Sequence, residues 1–417
     1  PAPGLRSPDS RTSRASGIRA AIHSVSRASA SFSSLAMARA DYTRRVLTPM
    51  DDTLWHTHPT TFDHVGTSDP RFFDRYWFAA SDPDGGGTLQ LTLGVYNNMN
   101  VVDAGFVAIR GTRQHNCRAP RALRALFGTF SCPSRLDSLE PLARAALVIE
   151  PGEHGFAVEL EWKSVLPAQE EAARFTRVRG RVVEESRRFD QIGELEGWLD
   201  LDGERRELRR WWAARDHSWG VRENMGIPEP VTGPPSPPRA GSLFAFLFFS
   251  TAQWGGHLQI AQFAGRPDYF TGEIADRSQP ERALHLADAS LAVAFHDDAR
   301  PRRFRTATFD ARLPDGRSVE IATEALCPAV DMQGLGYSGG FDDGRGLGVW
   351  RGDAHVEHDV WDVSHPAEVV RADGARVRPI HRIQPVRVAM QGAGLDGQGT
   401  GSLTLIAEGR IPRLGLE

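Results

Sequence analysis

WWAARDHSWGVR, Trp211 to Arg222, packs three tryptophans, an Asp-His pair and a glycine into one short stretch near the middle of the chain. If Arg209 to Trp219 is extended, its side chains alternate between two faces. Trp211, His217 and Trp219 then share one face, and Trp212 and Asp216 the other. A regular strand cannot aim Asp216 and His217 into one pocket. Either a bulge or turn rotates one of them, or only one belongs to a site. Gly220, just after the pair, is a place for such a bend. A carboxyl among tryptophan rings can hold a proton near neutral pH, because apolar burial raises its pKa. The plainer alternative is a buried Asp bonded to backbone at a strand corner, with His217 as a satisfied core residue.

RDHSWG, Arg215 to Gly220, follows a Trp-rich stretch and resembles the D-H-x-W-G type motif of the AttH-type and hydroxyneurosporene synthase (carotenoid 1,2-hydratase) superfamily. RFFDRYWF, Arg71 to Phe78, and GVYNNMNVVDAGFVAIRG, Gly94 to Gly111, are similar to the first half of its bacterial members. The resemblance spans about Asp63 to Gly409. It implies an all-β fold of two consecutive lipocalin-like antiparallel β-barrels with few short helices, the motif opening the second. It implies no metal; no cofactor is expected. Only the short motif transfers; the remaining active-site residues of the carotenoid hydratases find no counterpart here.

The flanking sequence reads as strands on its own terms. In LQLTLGVY, Leu89, Leu91, Leu93 and Val95 fall on one face, with Gln90, Thr92 and Tyr96 opposite, which predicts a half-buried strand. Val101 to Arg110, Ala145 to Ile149, Phe156 to Val165, Phe175 to Glu185 and Leu195 to Leu201 read the same way. Pro120 to Phe127 has the spacing of a short helix. Asp202-Gly203 signals a hairpin turn. After the motif, LFAFLFFS, Leu243 to Ser250, is apolar on both faces and predicts a fully buried strand. Trp254 to Phe263, the start at Tyr269, Ala283 to Phe295, Thr306 to Leu313, Val319 to Glu324 and Val386 to Ile411 continue a meander. The Gly-rich Gly334 to Gly348 lacks the strand-then-helix context of a dinucleotide loop and reads as a mobile loop or barrel corner. Each half thus carries short strands at hairpin spacing, which favours barrels or sandwiches.

The expected division is an extension over 1–40, a first barrel over 41–205 and a second over 206–417. Pro1 to Ala36 is rich in Ser, Arg and Ala and nearly free of acids. It reads as a disordered tail or non-native extension, with a transit peptide as the alternative. The chain of 417 residues is 40% hydrophobic and 24% charged, as in globular proteins. A formal net charge of -4 and a pI near 6.4 argue against a nucleic-acid partner. No apolar run reaches the length of a membrane span. Cys117, Cys132 and Cys327 show neither metal spacing nor a disulfide framework, which suggests a reducing, cytoplasmic setting.

Other site candidates lie around the motif. Gly226 to Gly241, with PEPVTGPPSPP inside it, reads as a lid or as a plain surface insertion. In DAHVEHDVWD, His358 shares a face with Val356 and Val360, which predicts an inward histidine that is either a ligand contact or a satisfied core residue. His355, Glu357 and Asp359 on the other face read as solvated rather than as metal ligands. Glu159, Glu161 and Lys163 read as a solvated face. Combined, these features predict a hydrophobic small-molecule ligand, isoprenoid, steroid-like or polyketide, and acid-base hydration, isomerisation or cyclisation at a C=C bond. Asp216 would donate the proton, and His217 would orient it or hold the water. Trp211, Trp219 and Tyr269 would face developing positive charge, and His358 would touch the substrate. The rival readings are a non-catalytic lipocalin-like carrier and an interaction module presenting Pro234 to Pro238.

Overall fold

The computed structural model describes residues 48–416 except 53, 55–58, 125–127, 132, 179, 224, 228–231, 235–240, 264–267, 298–299 and 353–354. The extension over 1–40 and most of the Pro-rich 226–241 segment therefore lie outside the described residues. The chain divides at Asp63 and His64. The first unit contains a short 3₁₀ turn, Pro49–Asp52, started by the Asp51 carboxylate, which accepts hydrogen bonds from the Thr48 N–H and hydroxyl.

From His64 onward the regular secondary structure of the described residues is strand apart from short 3₁₀ turns, and the strand pairings are antiparallel. β1 (Phe72–Ser81), β2 (Thr88–Tyr96), β3 (Val101–Arg110) and β4 (Arg113–Ala122) form one meander. β5 (Phe130–Ser131), β6 (Ser134–Glu140), β7 (Arg144–Ile149) and β8 (Phe156–Ser164) form another. β9 (Gln169–Glu170) and β10 (Arg174–Val178) flank β11 (Arg181–Leu201). β11 turns into β12 (Glu204–Arg222) through Asp202 (φ 53°) and Gly203 (φ 83°). This is the Asp-Gly turn in which both central residues have positive φ. β12 then pairs with β1 and joins the two meanders into one sheet. That sheet curls round its own core, so Leu136 and Leu147 of the second meander pack in one cluster with Val102 and Cys117 of the first.

The second sheet contains β13 (Gly241–Thr251), β14 (Trp254–Phe263), β15 (Tyr269–Asp276), β16 (Gln279–His285), β17 (Asp288–Phe295), β18 (Phe304–Arg312), β19 (Ser318–Ala325) and β20 (Val330–Asp331). β21 (Glu357–Asp362), β22 (Val369–Val370) and β23 (Arg376–Val377) return to the first sheet at the β4 edge. β24 (Arg382–Gln391) and β25 (Gly397–Gly409) close the second sheet between β13 and β19. Leu243, Ala245, Leu247 and Phe249 of β13 point into the second core. Phe246 and Phe248 point the other way, into a third cluster with Trp77, Ile192 and Trp212 of the first sheet. The molecule is two antiparallel β-barrels packed through this seam, with only short 3₁₀ turns as helical pieces among the described residues.

Several local expectations change for physical reasons. β2 is buried on both faces, because its polar face also lies under protein, and Gln90 accepts a hydrogen bond from the Trp77 indole N–H at 3.0 Å. Pro120 to Ala122 extends β4 instead of starting a helix; residues 125–127 of that expected helix are not described. Phe175 to Glu185 is a hairpin between β10 and β11, and Ala283 to Phe295 is divided between β16 and β17. Glu161 is buried against Arg144 (2.7 Å), not solvated. The expected division at residues 205 and 206 falls within the β11–β12 hairpin. The change of sheet comes after Arg222, and β21 to β23 cross back.

Candidate active site in the seam between the barrels

The stretch around Asp216 is a regular strand. Its register runs without a shift from Glu184↔Arg222 to Leu195↔Trp211. Strict alternation therefore separates the pair. Asp216 faces the seam and His217 faces the first barrel's interior side. Gly220 (φ 128°) lies against β11, where a Cβ would overlap the Glu185 carbonyl oxygen.

Asp216 opens onto a cavity of about 270 Å³. Trp77 of β1, Arg188 of β11 and Arg222 of β12 form one wall with it; Phe244, Phe246 and Phe248 of β13 form the other. The rings touch: Phe246 and Phe248 have centroids 4.4 Å apart, and Trp77 and Phe248 5.5 Å. Tyr337 and His381 line the cavity as well. The Arg75 guanidinium hydrogen-bonds the Tyr337 hydroxyl and lies 4.2 Å over its ring. Burial, with Arg222, Arg303 and Arg75 nearby, pushes His381 down to about 3, so its imidazole is neutral at physiological pH.

The Asp216 carboxyl has no hydrogen bond among the described residues; its nearest cation is Arg188 Nε at 3.7 Å. Burial raises its pKa, opposed by Arg188, Arg222 and Arg75. Behind it lies a buried polar cluster. Asp190 is directly opposite Asp216 in the ladder and fully buried. Burial, then the neighbouring Glu171, raises it well above the carboxylate range. Glu171 is held down at about 2, chiefly by Arg188, whose Nη1 lies 3.2 Å from its Oε1. From the second barrel, Tyr269 donates to Glu171 at 3.0 Å and Gln259 donates at 3.3 Å. His257 Nε2 lies 3.6 Å from Asp190 Oδ2.

Of the six residues expected from the sequence, Asp216 alone lines this cavity. Tyr269 reaches its rear through Glu171. His217 Nε2 hydrogen-bonds Asp74 at 2.6 Å and packs on Tyr76, away from Asp216. Trp219 beside it is 37% exposed. Trp211 is buried in the first core, under the Arg206 guanidinium 5.0 Å from its ring. The inward reading of His358 is corrected. His358 is exposed, and the opposite face of β21 packs inward, with Trp361 buried and Glu357 and Asp359 pairing with the buried Arg118 at 3.4 and 2.9 Å. That cation draws the acidic face in, which apolar periodicity alone does not register. No cluster of metal-ligating residues occurs among the described residues. The Gly-rich 334–348 segment is packed rather than loose. It forms short turns at Met332–Leu335 and Tyr337–Gly339, with Leu335 and Phe341 buried, and delivers Tyr337 to the cavity.

Sequence reading missed Asp190, Glu171, His257, Tyr337 and His381. The one signal for Asp190 is its place in RRFDQ, an extended stretch pairing with the motif; the rest come from distant segments.

No curated protein matches this sequence. Solved structures similar to it include an AttH candidate from Nitrosomonas europaea, 13% identical, with a TM-score of 0.48 over 86% of this chain and 99% of that one. Kievitone hydratase from Nectria haematococca is 8% identical, with a TM-score of 0.46 over 80% and 89% of the two chains. CghA with Sch210972 is 10% identical, with a TM-score of 0.45 over 81% and 88%. A family model covers nearly all of the described chain, residues 47–410, and by that match the chain belongs to the family of unknown function DUF8625.

Proposed function

We infer that the protein binds a compact apolar molecule, of isoprenoid, steroid-like or polyketide type, in the seam cavity and adds or moves a proton on it. The observation carrying this reading is Asp216: a half-buried carboxyl without a hydrogen-bonding partner among the described residues, opposite a wall of aromatic rings. Burial raises the Asp216 carboxyl toward the protonated form that donates, against the pull of Arg188, Arg222 and Arg75. Donation to a C=C carbon leaves a cation. The π-faces of Trp77, Phe246 and Phe248 are the groups that meet it. In a hydration, water adds to the cation and its surplus proton returns to the Asp216 carboxylate. In an isomerisation, a neighbouring C–H supplies that proton. The cavity is small for the usual ligand range, which favours a compact ring-bearing molecule over a long polyene.

Native mass spectrometry of the wild type beside Asp216→Asn, with the extracted ligand identified, tests the reading. Substrate is expected to accumulate in the variant and product or empty protein in the wild type. The same unchanged molecule in both would support a carrier. No ligand in either preparation would contradict the reading.

A further inference from the structure

Unpartnered buried polar atoms concentrate at one place in the seam. Both carboxyl oxygens of Asp190 and Nε2 of His257 are inaccessible and, among the described residues, have no hydrogen-bond donor; the Glu171 carboxylate lies within hydrogen-bonding reach of a protonated Asp190. They face each other, Nε2 to Oδ2, at 3.6 Å. The protonation of this pair follows from the groups behind it. The Gln169 side-chain N–H donates to the Glu273 carboxylate, which fixes the amide with Oε1 toward His257. That oxygen can only accept, so His257 Nδ1, at 3.0 Å, carries a hydrogen. A neutral His257 then turns a lone pair on Nε2 toward Asp190. Two acceptors do not face each other in a dry interior without a proton between them. Burial holds His257 down at about 4, so the proton belongs to the carboxyl.

We propose that Asp190 is a protonated positioning residue, hydrogen-bonded to the Glu171 carboxylate and faced by the Nε2 lone pair of His257, that passes its proton to Asp216 across the β11–β12 ladder. This rests on Asp216 being the acid of the cavity. The two residues are direct partners in the antiparallel pair, on the same face, so their Cβ atoms are about 5 Å apart. When Asp216 gives its proton to the ligand, the Asp190 carboxyl O–H bond breaks and the proton passes to the Asp216 carboxylate. Asp190 is left as a carboxylate beside Arg188. The proton released as water adds to the ligand, or as a C–H is lost, returns through Asp216, which lines the cavity, and restores Asp190, so no net proton is consumed.

The charged and titratable groups facing the pair come from every element packed there. They are Glu171 before β10, Arg188 on β11, Arg222 on β12, Arg75 on β1, His257 on β14 and Tyr269 on β15.

Infrared spectroscopy of the protonated-carboxyl C=O band, titrated in the ligand-free wild type, Asp190→Asn and Asp216→Asn, tests this. At neutral pH the wild-type band is expected to carry two components, of which Asp216→Asn keeps the one from Asp190 and Asp190→Asn keeps the one from Asp216. With the like charge of Asp216 removed, Asp190 is expected to lose its proton about one pH unit lower than in the wild type. Nitrogen-15 NMR of His257 in the wild type covers a variant that fails to fold. Protonated Nδ1 with bare Nε2 is the expected result. An imidazolium at neutral pH, or an Asp190 titration identical in wild type and Asp216→Asn, would overturn the proposal. Because ligand plays no part in these readings, failure here is distinct from failure of the binding reading.

Discussion

Glu171 and His257 are the residues on which the seam's stability turns. Glu171 neutralises the buried Arg188. Glu171→Gln leaves that guanidinium without its closest carboxylate, and removing one partner of a buried pair costs about 3–5 kcal/mol. Urea unfolding at neutral pH is expected to show a loss of that order. His257 has the opposite pH signature to Asp190. Its folded-state pKa is depressed to about 4, below the unfolded value. Its contribution is therefore fully present above about pH 6.5 and is lost as pH falls through 4. By pH 5 the loss is about 2 kcal/mol. Asp190, raised on folding, contributes most at low pH and loses its contribution as pH rises. His257→Gln is expected to flatten the fall in unfolding free energy between pH 7 and 5. A variant with the wild-type slope would show that His257 is not the group that charges.

The legible part of the site was its strand, and the illegible part was what distant strands bring to it. Alternation along 211–219 separates Asp216 from His217, and the regular β12 register keeps them apart. The Asp-Gly turn and the doubly apolar Leu243 to Ser250 were likewise readable from local chemistry. The stretch 186–194 was not, because Arg188 and Asp190 break the apolar period of a strand buried on that face by polar partners. His358 misled for the complementary reason: its valine neighbours gave the pattern of an inward face, while Arg118 pulls in the acidic face instead. Gly220 is the element's steric limit. Its φ of 128° and its contact with the Glu185 carbonyl leave no room for a side chain. Gly220→Ala is expected to cost more than about 2 kcal/mol, read as a lowered Tm. An unchanged Tm would mean that β12 does not lie this close to β11.

At the scale of the molecule, the two barrels are tied by more than contact. β21 to β23 follow most of the second sheet in sequence yet extend the first, while β24 and β25 return to the centre of the second. A fragment ending at Arg222 lacks the strand that covers β4 and leaves the seam face of β1 and β12 bare. It is expected to be aggregated or unfolded by circular dichroism and size-exclusion chromatography; a monodisperse folded fragment would show that the crossing strands are dispensable. The seam's aromatic wall sets both stability and ligand space. Phe248 is buried at its centre, so Phe248→Ala is expected to cost about 3–5 kcal/mol and to enlarge the cavity beside Trp77.

The central claim is that this cavity holds an apolar ligand against Asp216. The most direct test is the crystal structure of Asp216→Asn purified with its bound molecule. The account predicts electron density between Trp77 and the phenylalanines of β13, with the residue 216 side chain within hydrogen-bonding reach of the ligand. A ligand enclosed within either barrel, with residue 216 untouched, would contradict it.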